Sequence, residues 1–146
     1  MNFKRKLKFS TLLPFYLVIS LVNCATSADV VAVVSASCTI NTLSKNEVRN
    51  IFLGLEDQTT DSLKIIPIDQ AENSPVRHEF YLMLDNKSPT QVKAHWSQVV
   101  FTGRGLPPDQ VANSEEMKLY LLTHPDTIGY LEKEMVDDSL KIVFPQ

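Results

Sequence analysis

The chain has 146 residues, 44% of them hydrophobic and 21% charged, which is the composition of one compact globular domain and excludes both intrinsic disorder and a disulfide-dense scaffold. Four of its 14 basic residues (Lys4, Arg5, Lys6, Lys8) and none of its 17 acidic ones precede Asp29, so the remainder is markedly acidic. Such a chain is a poor nucleic-acid binder, because that affinity comes mainly from neutralising phosphates.

The basic cluster is followed by an apolar run from Leu12 to Val22 and the small-residue stretch Cys24-Ala25-Thr26-Ser27-Ala28. This three-part pattern predicts a secretory signal peptide over 1–28, cleaved after Ala28, and hence a periplasmic destination. The run is short for a spanning helix, and Pro14 interrupts it. Leu21-Val22-Asn23-Cys24 also resembles a bacterial lipobox, which would make Cys24 a lipid anchor, although Asn23 stands where that pattern has a small residue. With Cys24 removed, Cys38 has no internal partner, and the sequence reads it as a buried thiol or a site of intermolecular pairing.

Residues 29–146 read as one domain. Val30 to Ala36 is a β-branched run that predicts a strand buried on both faces. Ser44-Lys45-Asn46-Glu47 is a capping box, followed by Val48, Ile51, Phe52 and Leu55 at helical spacing, with Gly54 at the exit. Leu63 to Ile68 predicts the second strand. Ser74-Pro75 opens a helix with Phe80, Met83 and Leu84 on its inner face, and Ser88-Pro89-Thr90-Gln91 opens another with Val92, Trp96, Val99 and Val100 as its stripe. Residues 102–108 predict a loop, and a further helix spans about Glu115 to Thr123, capped by Asn113 or Ser114. Residues 128–131 and 140–144 read as the last strands. The order predicts an α/β domain with a mixed or mostly parallel sheet flanked by helices.

Several chemistries have no support. The chain carries no Gly-x-Ser-x-Gly, no phosphate-binding P-loop and no Cys-x-x-Cys, and no motif calls for a cofactor. His78, His95 and His124 have neither metal-ligand spacing nor a nucleophile to serve, so neither a metal site nor an enzyme is expected. Phe80, Tyr81 and Trp96 read as core, and His95 as a packing residue. One segment does carry chemistry. Ile68 to Arg77 runs from a strand end through a polar turn into a helix N-terminus, where free amides and the macrodipole suit an anion. The Ser74 hydroxyl, the Val76 amide and the Arg77 guanidinium are candidate donors. Ser74 serves equally as a plain helix cap, and Arg77 as a partner of Glu72 or Glu79.

The pieces Leu43-Ser44 with Glu47-Val48-Arg49, Ile51-Phe52-Leu53-Gly54, Ile66 to Gln70, Ser74 to Arg77, Phe101 to Gly105 and Ile128-Gly129-Tyr130 resemble, in order and spacing, the phosphate-type periplasmic substrate-binding proteins of ABC transporters. The likeness spans roughly 43–132 and is closest to short, stand-alone relatives of that family. It implies a single periplasmic-binding-protein-like lobe, since residues 29–146 suffice for one of the family's two. In two-lobed members an Arg, then four residues on a Ser followed by Gly and Thr, supplies oxyanion donors. Those positions fall here on Gln70, Ser74, Pro75 and Val76, so only Ser74 is kept. Gln offers a neutral amide in place of a charged fork, and Pro75 deletes one backbone donor. The resemblance thus implies binding of phosphate or a similar small oxyanion by Gln70, Ser74, Val76 and Arg77, with Thr102, Gly103 and Arg104 as further ligand-binding candidates. It implies an ABC permease as partner. The alternative is an interaction or regulatory protein that reuses the lobe to meet a membrane sensor, a transporter or a second copy of itself as a homodimer.

Overall fold

The computed structural model describes residues 29–55 and 64–145, so the signal peptide expected over 1–28, with Cys24, lies outside the described residues. Five strands form one sheet: β1 (Val30–Ser35), β2 (Ile66–Gln70), β3 (Asp109–Val111), β4 (Thr127–Glu132) and β5 (Leu140–Phe144). Their spatial order is β3-β2-β4-β1-β5. Strand β2 runs parallel to both β3 and β4, whereas β1 is antiparallel to β4 and β5, so the sheet is mixed. The helices are α1 (Lys45–Phe52), α2 (Pro75–Asp85), α3 (Pro89–Phe101) and α4 (Ser114–Thr123).

The alternation of β1 divides the core. Val30, Ala32 and Val34, with Ile128 and Tyr130, pack against Val48, Ile51 and Phe52 of α1, Phe80 and Leu84 of α2, and Val92 and Trp96 of α3. Val31 and Val33, with Ile68 and Leu131, pack against Met117 and Leu121 of α4. Three helices therefore cover one face of the sheet and α4 covers the other. At the centre of the first face the Phe80 ring stacks on Tyr130 with centroids 4.0 Å apart, and Phe52 meets Phe80 edge-on.

The caps form as their sequences dictate. Ser44 and Ser88 close capping boxes with Glu47 and Gln91, and the Ser74 hydroxyl accepts from the Arg77 amide. Two glycines permit close approaches. Gly54 sits at φ +64° after α1, and a Cβ there would lie 2.7 Å from Cη2 of Trp96. A Cβ on Gly129 would lie 2.3 Å from the Met117 sulfur, so this glycine seats α4 against the sheet.

Two elements differ from the sequence reading. Strand β2 continues through Asp69 and Gln70, which looked like turn residues because they are polar; both are buried, and their polar groups bond inside the protein. Strand β3 falls in a stretch with no apolar alternation, and it forms because its backbone pairs in parallel with Ile68, Asp69 and Gln70.

Candidate functional site

The adjacent parallel strands β2 and β3 end side by side, Gln70 opposite Val111. From there β2 leads to α2 on one face of the sheet, and β3 leads to α4 on the other. This divergence is a topological switch point, and in open α/β sheets ligands settle in the crevice it leaves beyond the strand carboxyl ends. A cavity of about 320 Å³ occupies that place, walled by Gln70, Ser74 and Val76 from one turn and by Asn113, Ser114 and Glu115 from the other. Two helix N-termini therefore open on one cavity. The amides of Val76, Ser114 and Glu115 lie in first turns, where no intrahelical acceptor exists. Their partial positive charge is opposed by Glu115 and by Glu132 at the end of β4. One carboxylate oxygen of Glu132 is buried with no hydrogen-bond partner.

Gln70 and Ser74 are buried in this wall and engaged with the protein itself. The Gln70 side-chain amide donates to Ser114 Oγ at 3.0 Å and to the Tyr130 carbonyl at 3.1 Å, and its oxygen accepts from Ser74 Oγ at 2.7 Å. Gln70 thus ties the α2 turn to the α4 turn and fixes the shape of the crevice.

Arg77 does not reach the crevice. It is buried, and its Nε donates to Asp69 Oδ2 at 2.9 Å. Its ion-pair partner is therefore Asp69 rather than Glu72 or Glu79, and Glu72 pairs with Lys93 at the surface. Asp69 also accepts from Tyr81 Oη at 3.1 Å, from the Gln70 amide at 2.9 Å and, through a short hydrogen bond, from Tyr130 Oη. Burial and the Asp69 charge push the phenols of Tyr81 and Tyr130 well above their ordinary range. Burial pulls Arg77 down, but the Asp69 charge and hydrogen bond outweigh it and its pKa is raised.

Thr102, Gly103 and Arg104 lie elsewhere again. The Thr102 hydroxyl donates back to the Gln98 carbonyl at 2.8 Å and accepts from Arg104 Nε at 3.0 Å. Gly103 makes the left-handed turn after α3, at φ +67°. Arg104 lines a different cavity, of about 540 Å³, together with Leu55, Ile66 and Trp96. The seven sequence candidates are thus divided: Gln70, Ser74 and Val76 meet at the crevice, while Arg77 and the 102–104 turn face other surfaces. The sequence reading missed the α4 half of the crevice, and Glu132. The cap at Asn113 was legible, but without β3 nothing placed it beside Ser74.

His95 fills the packing role expected of it, with Nε2 2.8 Å from the Leu53 carbonyl and its ring edge-on to Trp96. Cys38 is half-buried against the core as a free thiol. Among the described residues no cluster of His, Cys, Asp or Glu is poised to hold a metal ion, and no helix is long and apolar enough to cross a membrane.

No protein-family model and no curated protein sequence matches the chain. Solved structures do. A putative phosphate ABC transporter substrate-binding protein with bound phosphate from Clostridium perfringens superposes with a TM-score of 0.61 at 16% identity, covering 78% of this chain and 43% of that one. An ABC-type phosphate transport receptor from Vibrio cholerae gives 0.59 at 16% identity, covering 78% and 44%. PstS from Borrelia burgdorferi gives 0.52 at 13% identity, covering 80% and 49%. The chain therefore has the fold of a substrate-binding-protein lobe, and it spans less than half the length of the structures it matches.

Proposed function

We propose that the chain is an exported, non-enzymatic solute-binding lobe that holds phosphate or a similar small oxyanion in the crevice between the α2 and α4 N-termini. The observation that carries this reading is the convergence of two helix starts, from opposite faces of the sheet, on one cavity beyond the carboxyl ends of β2 and β3. The backbone amides of Val76, Ser114 and Glu115 supply the donors, with Gln70 and Ser74 holding the two turns in place. Binding is by hydrogen bonds alone. Glu132, whose buried oxygen lacks a donor, suits a ligand that carries an O–H as well as acceptor oxygens. No basic side chain lines the crevice, so affinity for free phosphate is weak, with Kd on the order of 1 mM. The structural neighbours from Clostridium perfringens and Vibrio cholerae are phosphate ABC-transport proteins, which supports a periplasmic lobe serving a permease.

Calorimetric titration of the purified protein with phosphate tests the reading. Glu115 is exposed in the crevice wall and opposes an anion, so Glu115→Gln should tighten saturable phosphate binding without unfolding the protein. Heat that never saturates, or saturation indifferent to Glu115→Gln, refutes the reading.

A second reading, an interaction module, is favoured by one observation. Phe101 is 92% exposed and Leu106 78% exposed, on the segment that joins α3 to β3. Apolar side chains this open suit a protein surface better than water. A sizing column run with membrane extract, and with Phe101→Asp as control, separates this reading from the first.

A further inference from the structure

Oxyanion binding leaves unexplained a further cavity, of about 500 Å³, that shares no wall with the crevice. Asp69 and Arg77 are both part of it, Trp96 and Val100 of α3 form one side, and Phe101 and Pro107 form the lip. Its volume is that of an ordinary small-molecule site. Two groups in its walls have unused hydrogen-bonding capacity. Among the described residues the Arg77 side chain donates through Nε, to Asp69, and its Nη groups make no hydrogen bond to the protein. Trp96, 7% exposed, has its indole Nε1–H buried with no partner. The acid in the same wall is already engaged: the Asp69 oxygens receive Arg77, Tyr81, Tyr130 and the Gln70 amide. The open valence of the cavity is thus for an acceptor; Trp96, Val100, Phe101 and Pro107 make an apolar wall, and the rest of the lining is polar, with Ser97, Gln110 and the ion pair of Lys93 with Glu72.

We infer that this cavity is a ligand site for a small amphipathic carboxylate: an apolar or aromatic body lies against Trp96, Val100, Phe101 and Pro107, and the carboxylate accepts from the Nη groups of Arg77. A guanidinium already oriented by Asp69 and stacked over the Tyr81 ring, 5.0 Å from its centroid, presents a fixed fork to such a head group. The site does not depend on oxyanion binding in the crevice.

Trp96 is the chain's one tryptophan and lines both this cavity and the one of about 540 Å³, so its fluorescence reports a ligand in either, and a substitution at Val100, which lines this cavity and not the other, tells them apart. The purified protein is titrated with phenylacetate, with 2-phenylethylamine as the cationic counterpart of similar size, and with inorganic phosphate. Phenylacetate should change the Trp96 emission saturably, and the other two should not. Val100 is 45% exposed, so Val100→Glu adds a negative charge to the wall without disturbing the core. It should weaken phenylacetate about tenfold while leaving the unfolding midpoint in place. No saturable response, an equal response to the amine, or an affinity unchanged in Val100→Glu overturns the assignment. Phosphate competing with phenylacetate would overturn the separation of this cavity from the crevice.

Discussion

Asp69→Asn is the substitution with the largest calculable effect. The carboxylate receives Arg77 Nε and the Gln70 amide at 2.9 Å and Tyr81 Oη at 3.1 Å, and it bonds Tyr130 Oη as well. Asparagine keeps the shape and one acceptor oxygen, but it places an NH2 where donors already converge and leaves the Arg77 guanidinium buried without its counter-charge. Breaking one side of a buried ion pair costs about 3–5 kcal/mol. Against a total of about 5–15 kcal/mol that is about a fifth or more of the fold's stability. In urea, with an m-value of about 2 kcal/mol/M for a domain of this size, the midpoint should fall by about 2 M. Removing both charges, in Asp69→Asn with Arg77→Met, should recover much of the loss, because an apolar replacement leaves no uncompensated charge. A midpoint shift worth less than about 1 kcal/mol in the single variant, or a double variant that costs the sum of its parts, refutes the view that Asp69 organises this half of the protein.

Ser74→Ala should cost about 0.5–2 kcal/mol in urea unfolding, since it removes the α2 cap and the Gln70 contact, and it should do so with or without phosphate present. Trp96→Ala should cost about 3–5 kcal/mol by the same measurement, because its ring fills the space against Gly54. Alkaline pH should destabilise the protein. The unfolded chain releases its tyrosine protons from the ordinary value of 10.0, while burial keeps Tyr81 and Tyr130 protonated in the fold. The unfolded state then binds fewer protons, so stability is intact below about pH 10 and falls as pH rises beyond it. Unfolding midpoints between about pH 8 and pH 11 check the slope, which should flatten in Tyr81→Phe.

The elements that announced themselves in the sequence were those with local causes. The capping boxes at Ser44 and Ser88, the Ser74-Pro75 start and the valine run of β1 all form as their own residues require. What escaped was set by distant neighbours. Asp69 and Gln70 read as a solvated turn because nothing nearby in sequence shows that the hydroxyl of Tyr130, about sixty residues away, donates to Asp69 and accepts from the Gln70 amide. Strand β3 depends on β2 for its backbone pairing and has no apolar pattern of its own. The same dependence hid half of the crevice: the α2 start was legible from Ser74, whereas its position beside the α4 start follows from a parallel pair that the pattern of Asp109–Val111 does not encode.

The place of β1 in the sheet has a consequence for biogenesis. Among the described residues the first strand, β1, lies between β4 and β5, so both of its ladders join it to segments far along the chain. Contacts so remote along the polypeptide close slowly. Until Thr127–Glu132 have been made, the valines of β1 have no strand to zip against, so the centre of the sheet is completed late in synthesis.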